Sequence, residues 1–290
     1  MFKGSYTALI TPFKNGEIDE KSLRGLIEFQ IEGGTAGLVP CGTTGESATL
    51  THAEHKKVIE IAVDAAQKRI PVIAGTGSNS TEEAIALTRS AKEMGADAAL
   101  LISPYYNKPS QEGLYQHYRA VAEAVDIPII LYNVPGRTHV NILPETVARL
   151  AKIKNIVALK DATGVLQQTS DTISLCGEDI VLLSGDDANT LPILSIGGTG
   201  VISVTANVAP REVASLFDAF FKGDLAEARK IHYRLLPLHN AMFVETNPLP
   251  VKTALALMGR CEESFRLPLC RMSENNRESL KAVLKKFGLV

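Results

Sequence analysis

Cysteine is sparse in this 290-residue chain. Its four cysteines, Cys41, Cys176, Cys261 and Cys270, are widely spread, with no CxxC pair and no Cys/His spacing suited to a metal. That excludes a disulfide scaffold or a zinc module and predicts free thiols in a reducing compartment. An excess of charge is missing too. The formal net charge is −2 and the pI about 6.3, so no global basic field exists to attract nucleic acid or anionic lipid. No apolar run approaches the roughly 18 to 20 residues of a membrane span. The N-terminal MFKGSYTALITPF has no small-residue cleavage site, and the chain closes at Val290 without a lipidation signal. Low-complexity tracts and Pro/Ser-rich linkers are absent as well. The expectation is a cytoplasmic globular protein with neither nucleic acid nor membrane as a partner.

What is present is a regular alternation. With 45% hydrophobic and 21% charged residues the chain can bury a sizeable core. Short apolar runs predict eight strands, at TALITPF (7–13), GLVPCG (37–42), PVIAG (71–75), AALLISP (98–104), PIILYNV (128–134), IVALKDA (156–162), IVLLSG (180–185) and GVISVT (200–205). Between them, apolar residues recur every three or four positions, as in EKSLRGLIEFQIEG and EGLYQHYRAVAEAV, which predicts amphipathic helices. Thr51 with Glu54 and Ser80 with Glu83 fit capping boxes. Pro144 and Pro210 suit first-turn positions, and Gly95 suits a helix stop. Eight such units imply the α/β class and, within it, a (β/α)8 TIM barrel. The strands are apolar throughout because one face lines the barrel and the other meets helices. After about residue 222 helices follow one another, so residues 1–222 read as the barrel and 223–290 as a C-terminal helical appendage.

Barrel enzymes place their chemistry at the C-terminal strand ends. The polar residues there are Thr43, Thr44 and Glu46 after the second strand, and Tyr105, Tyr106 and Asn107 after the fourth. The fifth adds Tyr132, Asn133 and Arg137, the sixth Lys160 and Asp161, and the seventh Gly185, Asp186 and Asp187. A lysine at the mouth of an apolar strand loses hydration, which disfavours its ammonium form. The neutral amine can then attack a carbonyl and form a Schiff base. Lys160 would be the nucleophile and Tyr132 a proton shuttle, since a phenol both donates and accepts. Thr43 and Thr44 offer hydroxyls and backbone amides for a carboxylate, and Arg137 a planar fork for a second one. Each has a plainer reading. Lys160 fits a strand-end lysine reaching to water, Tyr132 a rim aromatic, the threonines a turn, and Arg137 a surface ion pair. Asp161, Asp186 and Asp187 fit helix caps. The convergence of several such groups favours chemistry.

GTTGES (42–47), YNVPGRT (132–138) and ALKDATG (158–164) resemble the pyruvate-dependent class I aldolase family, which includes the N-acetylneuraminate lyases. The resemblance spans essentially the whole chain. It implies that Lys160 forms a Schiff base with pyruvate. Thr43, Tyr132 and Tyr106 would form a proton relay, Tyr106 coming from a neighbouring subunit. Thr44 would bind the pyruvate carboxylate, and Gly185 and Ile202 would contact the adduct through their backbones. Arg137 would hold the carboxylate of L-aspartate 4-semialdehyde, which points to the branch that condenses that aldehyde with pyruvate. The sialic acid lyase branch has a non-basic residue at this position and prefers Ser-Thr where this chain has Thr43 and Thr44. Sialic acid cleavage, or another 2-keto acid aldolase reaction, is the alternative within the family. Outside it, the alternative is a non-catalytic barrel that senses an amino acid. A homotetramer built as a dimer of dimers is implied, with no metal and no organic cofactor.

A second cluster suggests regulation. Ser47, Ala48, His52, His55, Asn79, Glu83 and Tyr105 match the family's feedback site for L-lysine. Glu83 could neutralise an ammonium, and Tyr105 could meet a carboxylate. His52 and His55 are three apart and would share a helix face, though Glu83 equally fits a cap and the histidines ordinary surface positions.

Overall fold

The computed structural model describes residues 2–290. Eight parallel strands are present: β1 (Gly4–Ala8), β2 (Gly37–Val39), β3 (Ile73–Gly75), β4 (Ala98–Ile102), β5 (Ile129–Asn133), β6 (Ile156–Asp161), β7 (Val181–Ser184) and β8 (Gly200–Ser203). Helices α1 (Glu20–Glu32), α2 (His52–Ala66), α3 (Thr81–Glu93) and α4 (Gln111–Ala124) follow the first four strands. After β5 come α5 (Pro135–Thr138) and α6 (Pro144–Leu150), then α7 (Leu166–Cys176) after β6, α8 (Thr190–Ser195) after β7 and α9 (Pro210–Phe221) after β8. The chain closes with α10 (Leu225–Ala241), α11 (Leu249–Leu257) and α12 (Glu274–Lys286). The fold class is a (β/α)8 barrel with C-terminal helices. No helix among the described residues is long and apolar enough to cross a membrane.

Every predicted strand position holds a strand, but the first is displaced. β1 stops at Ala8, whereas the apolar run continues to Phe13. Leu9, Ile10 and Phe13 are buried all the same. Phe13 opens a small hairpin, Phe13–Lys14 against Glu17–Ile18, that the apolar periodicity does not mark. Its signal is the Asn15-Gly16 pair, both at positive φ, which two-residue hairpin turns demand. Local helix signals hold more closely. Pro144 and Pro210 open α6 and α9, and Gly95 follows α3 at φ 90.

The chain forms two compact units. One consists of Ile73–Ile202 with the first residues of the chain. Its core gathers Leu114, Tyr118 and Val121 of α4 with Leu101, Ile129, Leu131 and Leu159 of the strands in one buried cluster. The other consists of Gly4–Val72 and Ser203–Val290. There β1 pairs with β2 at Thr7 and Leu38. Gln30 of α1 is wholly buried and satisfied: its amide oxygen accepts from the hydroxyls of Thr7 (2.6 Å) and Thr35 (2.9 Å), and its nitrogen donates to the Ala206 carbonyl (2.9 Å). Buried amides are retained when each polar atom finds a partner.

α2 begins with the expected capping box. Thr51 Oγ accepts from the Glu54 N–H at 3.2 Å, and the Glu54 carboxylate accepts from the Thr51 N–H at 2.8 Å. The same carboxylate takes both terminal nitrogens of Arg266, one at 2.8 Å. The Arg266 hydrogen bond holds the Glu54 carboxyl down at about 2. The unfolded-state pKa is higher, so this contribution is complete above about pH 4.5 and is lost as pH falls toward 2. Glu54→Gln is expected to cost about 1 kcal/mol at neutral pH, allowing for solvent screening. It should also flatten the acid limb of a chemical-denaturation stability profile between those two pH values.

Candidate active site

Strand alternation sends Ala158 and Lys160 to one face of β6, and Leu159 and Asp161 to the other. The parallel register sets Lys160 beside Tyr132 of β5 and Leu183 of β7. Residues paired in this way point to the same face, so the lysine and the tyrosine meet. Lys160 Nζ lies 4.0 Å from the centre of the Tyr132 ring. Both are buried, at 6% and 7% exposure. Lys160 is therefore not a strand-end lysine reaching into water, and Tyr132 is not a solvated rim aromatic.

Gly185, just after β7, leaves room for the lysine stem. A Cβ there would stand 2.7 Å from Ala162 Cβ and 3.1 Å from Lys160 Cε. The Gly185 N–H donates to the Asp161 carbonyl at 2.6 Å, which draws the two chain segments together. The Asp161 carboxylate accepts from the Thr163 N–H (2.8 Å) and the Thr169 hydroxyl (2.6 Å), so it anchors the start of α7. Asp186 caps the turn that follows β7 by accepting from the Ala188 N–H at 3.0 Å. Asp186 is thus the cap expected of it, whereas Asp161 tethers the loop before α7 and does not cap the helix, whose first turn is preceded by Val165. Ile202 lies buried on β8.

Arg137 is exposed on the short α5. The segment that carries it is fastened by amides. Asn133 Nδ2 donates to Asn141 Oδ1 (2.8 Å) and to the Ile142 carbonyl (3.1 Å), and Asn133 Oδ1 accepts from the Ile142 N–H (3.0 Å). Asn141 Nδ2 donates to Gln168 Oε1, and Gln111 Nε2 to the Asn141 carbonyl, each at 2.8 Å. Sequence reasoning noticed Asn133 as a strand-end polar group. Its partners, eight and nine residues on, lie in the irregular stretch between α5 and α6 and carry no pattern of their own.

In the unit that contains β1 and β2, the turn after β2 presents Thr43 half-buried and Thr44 at 3% exposure. Thr44 Oγ accepts from Asn247 Nδ2 at 3.0 Å, which leaves its own proton to donate elsewhere. Glu46 pairs with Lys252 of α11, and neither side chain has any exposure. Lys252 Nζ also donates to the Ser264 carbonyl (3.0 Å) and lies 4.3 Å from the centre of the Phe13 ring. Burial lowers the pKa of the Lys252 ammonium while the Glu46 carboxylate pulls it back up. Sequence reasoning did not single out Lys252, although one cation within the apolar run LPVKTALAL was the available signal.

The residues matched to the effector site fall as follows. Ser47 and Ala48 lie on a single 3-10 turn directly after Glu46. His52 is exposed at the start of α2, whereas His55, one turn on, is buried. In the other unit, Ser80 caps α3 by accepting from the Glu83 N–H, but the Glu83 carboxylate accepts from the Ser78 hydroxyl instead of closing a capping box. The Asn79 carbonyl accepts from Asn107 Nδ2 at 2.8 Å. The Tyr105 phenol is raised first by burial and then by the charge of Glu83. Tyr106 is 89% exposed and sits at φ 74, an unusual conformation for a bulky residue. No group of three His, Cys, Asp or Glu side chains among the described residues is placed to hold a metal ion.

A profile of the Dihydrodipicolinate synthetase family matches residues 1–287. The chain belongs to that family. Membership makes it an enzyme, a lyase of the aldolase type. A 4-hydroxy-tetrahydrodipicolinate synthase of Syntrophus aciditrophicus (strain SB) is 63% identical over 290 residues, covering 100% of each chain. Among solved structures of family members, a dihydrodipicolinate synthase of Acinetobacter baumannii complexed with pyruvate is 48% identical. Its TM-score is 0.98 with 100% of both chains covered. A further member, from Cyanidioschyzon merolae with lysine bound, is 42% identical with a TM-score of 0.97, covering 100% of this chain and 99% of that one.

Two outcomes follow from the packing. Gly185→Ala is expected to destabilise the protein by about 1–3 kcal/mol through overpacking against Ala162 and Lys160; thermal unfolding checks it, and an unchanged midpoint would contradict the close approach. Burial pushes the Cys41 thiol well up, whereas Cys270 is exposed. Iodoacetamide on the native protein should therefore label Cys270 and spare Cys41, as read by peptide mass.

Proposed function

We propose that this chain condenses pyruvate with L-aspartate 4-semialdehyde, the 4-hydroxy-tetrahydrodipicolinate synthase reaction of lysine and diaminopimelate biosynthesis. The carrying observation is the buried amine of Lys160 set by register against the Tyr132 ring. Full-length relatives that carry this activity's name support the choice of reaction. The amine adds to the keto carbon of pyruvate and expels water, giving an imine. Loss of a methyl proton then makes an enamine carbon, which attacks the aldehyde. Lys160 is the nucleophile. Tyr132, Thr43 and Tyr106 move protons, and Thr44 takes the pyruvate carboxylate. Gly185 and Ile202 contact the adduct through backbone atoms. Arg137, exposed on its fastened segment, receives the carboxylate of the semialdehyde.

Tyr106 serves a second copy of the chain. An 89% exposed tyrosine held at positive φ suits a residue donated outward, and the assembly is a homotetramer of two tight dimers. L-Lysine is the feedback inhibitor, bound by Ser47, Ala48, His52, His55, Asn79, Glu83 and Tyr105. The lysine-bound family member supports this reading, as does the turning of the Glu83 carboxylate away from its capping role. The protein works in the cytoplasm.

Borohydride added with pyruvate should add a pyruvyl mass at Lys160, and an unmodified Lys160 would refute the Schiff base. Arg137→Ala should keep this trapping yet lose turnover with the semialdehyde; equal loss of both steps would assign Arg137 to support of the whole site. A coupled assay should show turnover of pyruvate with the semialdehyde and none of N-acetylneuraminate. Initial rates should fall with millimolar L-lysine, and flat rates would remove the effector assignment.

A further inference from the structure

The reaction uses neither Glu46 nor Lys252, yet both charges are wholly buried. A buried ion pair is weak evidence for stability, because well-packed apolar residues of similar size often serve as well. Its placement points to another role. Glu46 stands two residues beyond Thr44. Both ends of this turn hold non-glycine residues in the left-handed region, Cys41 at φ 56 and Glu46 at φ 54. Such backbone persists only where the surroundings over-determine it. Here those surroundings are specific. The Gly45 carbonyl accepts from Thr11 Oγ at 2.7 Å, and Thr44 Oγ accepts from Asn247 Nδ2 at 3.0 Å. The Glu46 carboxylate accepts from Lys252 Nζ and from the Arg266 N–H (3.3 Å). Asn247, Lys252 and Arg266 all belong to the C-terminal segment.

We propose that Glu46 and Lys252 are positioning residues that clamp the Thr43–Thr44 turn onto α11 and so aim its two hydroxyls at the bound 2-keto acid. An apolar pair would fill the same space without fixing the direction of the Glu46 carboxylate, and hence the rotation of the turn. The inference rests on the reading of Thr43 and Thr44 as groups that handle pyruvate.

Glu46→Gln, Lys252→Met and the double variant Glu46→Gln/Lys252→Met test it. Each single variant leaves one buried charge without its counter-ion and should melt below the wild type; the double variant removes both charges and should recover most of that loss. The folded double variant should show kcat reduced about tenfold or more and a raised KM for pyruvate, because small displacements of positioning groups are costly. Its KM for the semialdehyde should stay within about twofold of wild type, since Arg137 is fastened separately. A folded double variant with wild-type kcat and wild-type KM for pyruvate would overturn the proposal and leave the pair a packing feature. Should the double variant not fold, either single variant assayed below its own melting transition decides by the same two constants. Failure of wild-type protein to trap pyruvate would instead refute the catalytic reading, which separates the two outcomes.

Discussion

Strand register is the constraint from which the rest follows. Parallel pairing of β5 with β6 puts Tyr132 and Lys160 side by side on one face. A slip of one residue would send every side chain of β6 to the opposite face. Lys160 would then point among the helices, and Asp161 would take its place. The register is secured by burial on both faces: Leu131 and Leu159 belong to the apolar cluster formed with the helices, while Ala158 lies fully buried on the lysine side. The hydrophobic core thus determines the chemistry indirectly, by allowing only one setting of two neighbouring strands. The bare α-carbon of Gly185 completes the arrangement by letting the lysine stem pass.

Much of this could be read from the residues alone, for a physical reason. Strands covered on both faces are uninterrupted apolar runs, and these stand out against amphipathic helices. All eight were found that way, and the polar groups at their ends followed. The first was misplaced because Leu9, Ile10 and Phe13 are as deeply buried as strand residues without belonging to the sheet. The hairpin after it was missed because strands of two residues have no period to detect, although Asn15-Gly16 marked its turn. The catalytic and effector assignments came from motif resemblance more than from periodicity.

What could not be read was long-range polar pairing. Glu46 and Lys252 are 206 residues apart, and nothing in the pattern around either one names the other. Lys252 looks like an intruder in an apolar helix until the carboxylate that neutralises it is seen. The same holds for Asn247 against Thr44. The C-terminal segment, whose helices read from sequence as an appendage, meets the turn after β2 through three separate residues, Lys252 on α11 and Asn247 and Arg266 in the loops around it. A segment of this kind carries architectural information that local propensity does not encode.

The amides around the Arg137 segment have one more consequence. Asn133 uses its nitrogen as a donor and its oxygen as an acceptor at the same time, toward the carbonyl and the N–H of Ile142. Only a group with both polarities on one planar head satisfies that pair. Conversion of this side chain to an acid, as spontaneous hydrolysis would do, sets a carboxylate oxygen against a carbonyl oxygen in a place closed to water. The loss would fall first on the strap bearing the guanidinium, leaving the lysine behind it in place. On the roles proposed for Arg137 and Lys160, chemical ageing at this position would therefore blunt recognition of the second substrate before it touched capture of the first.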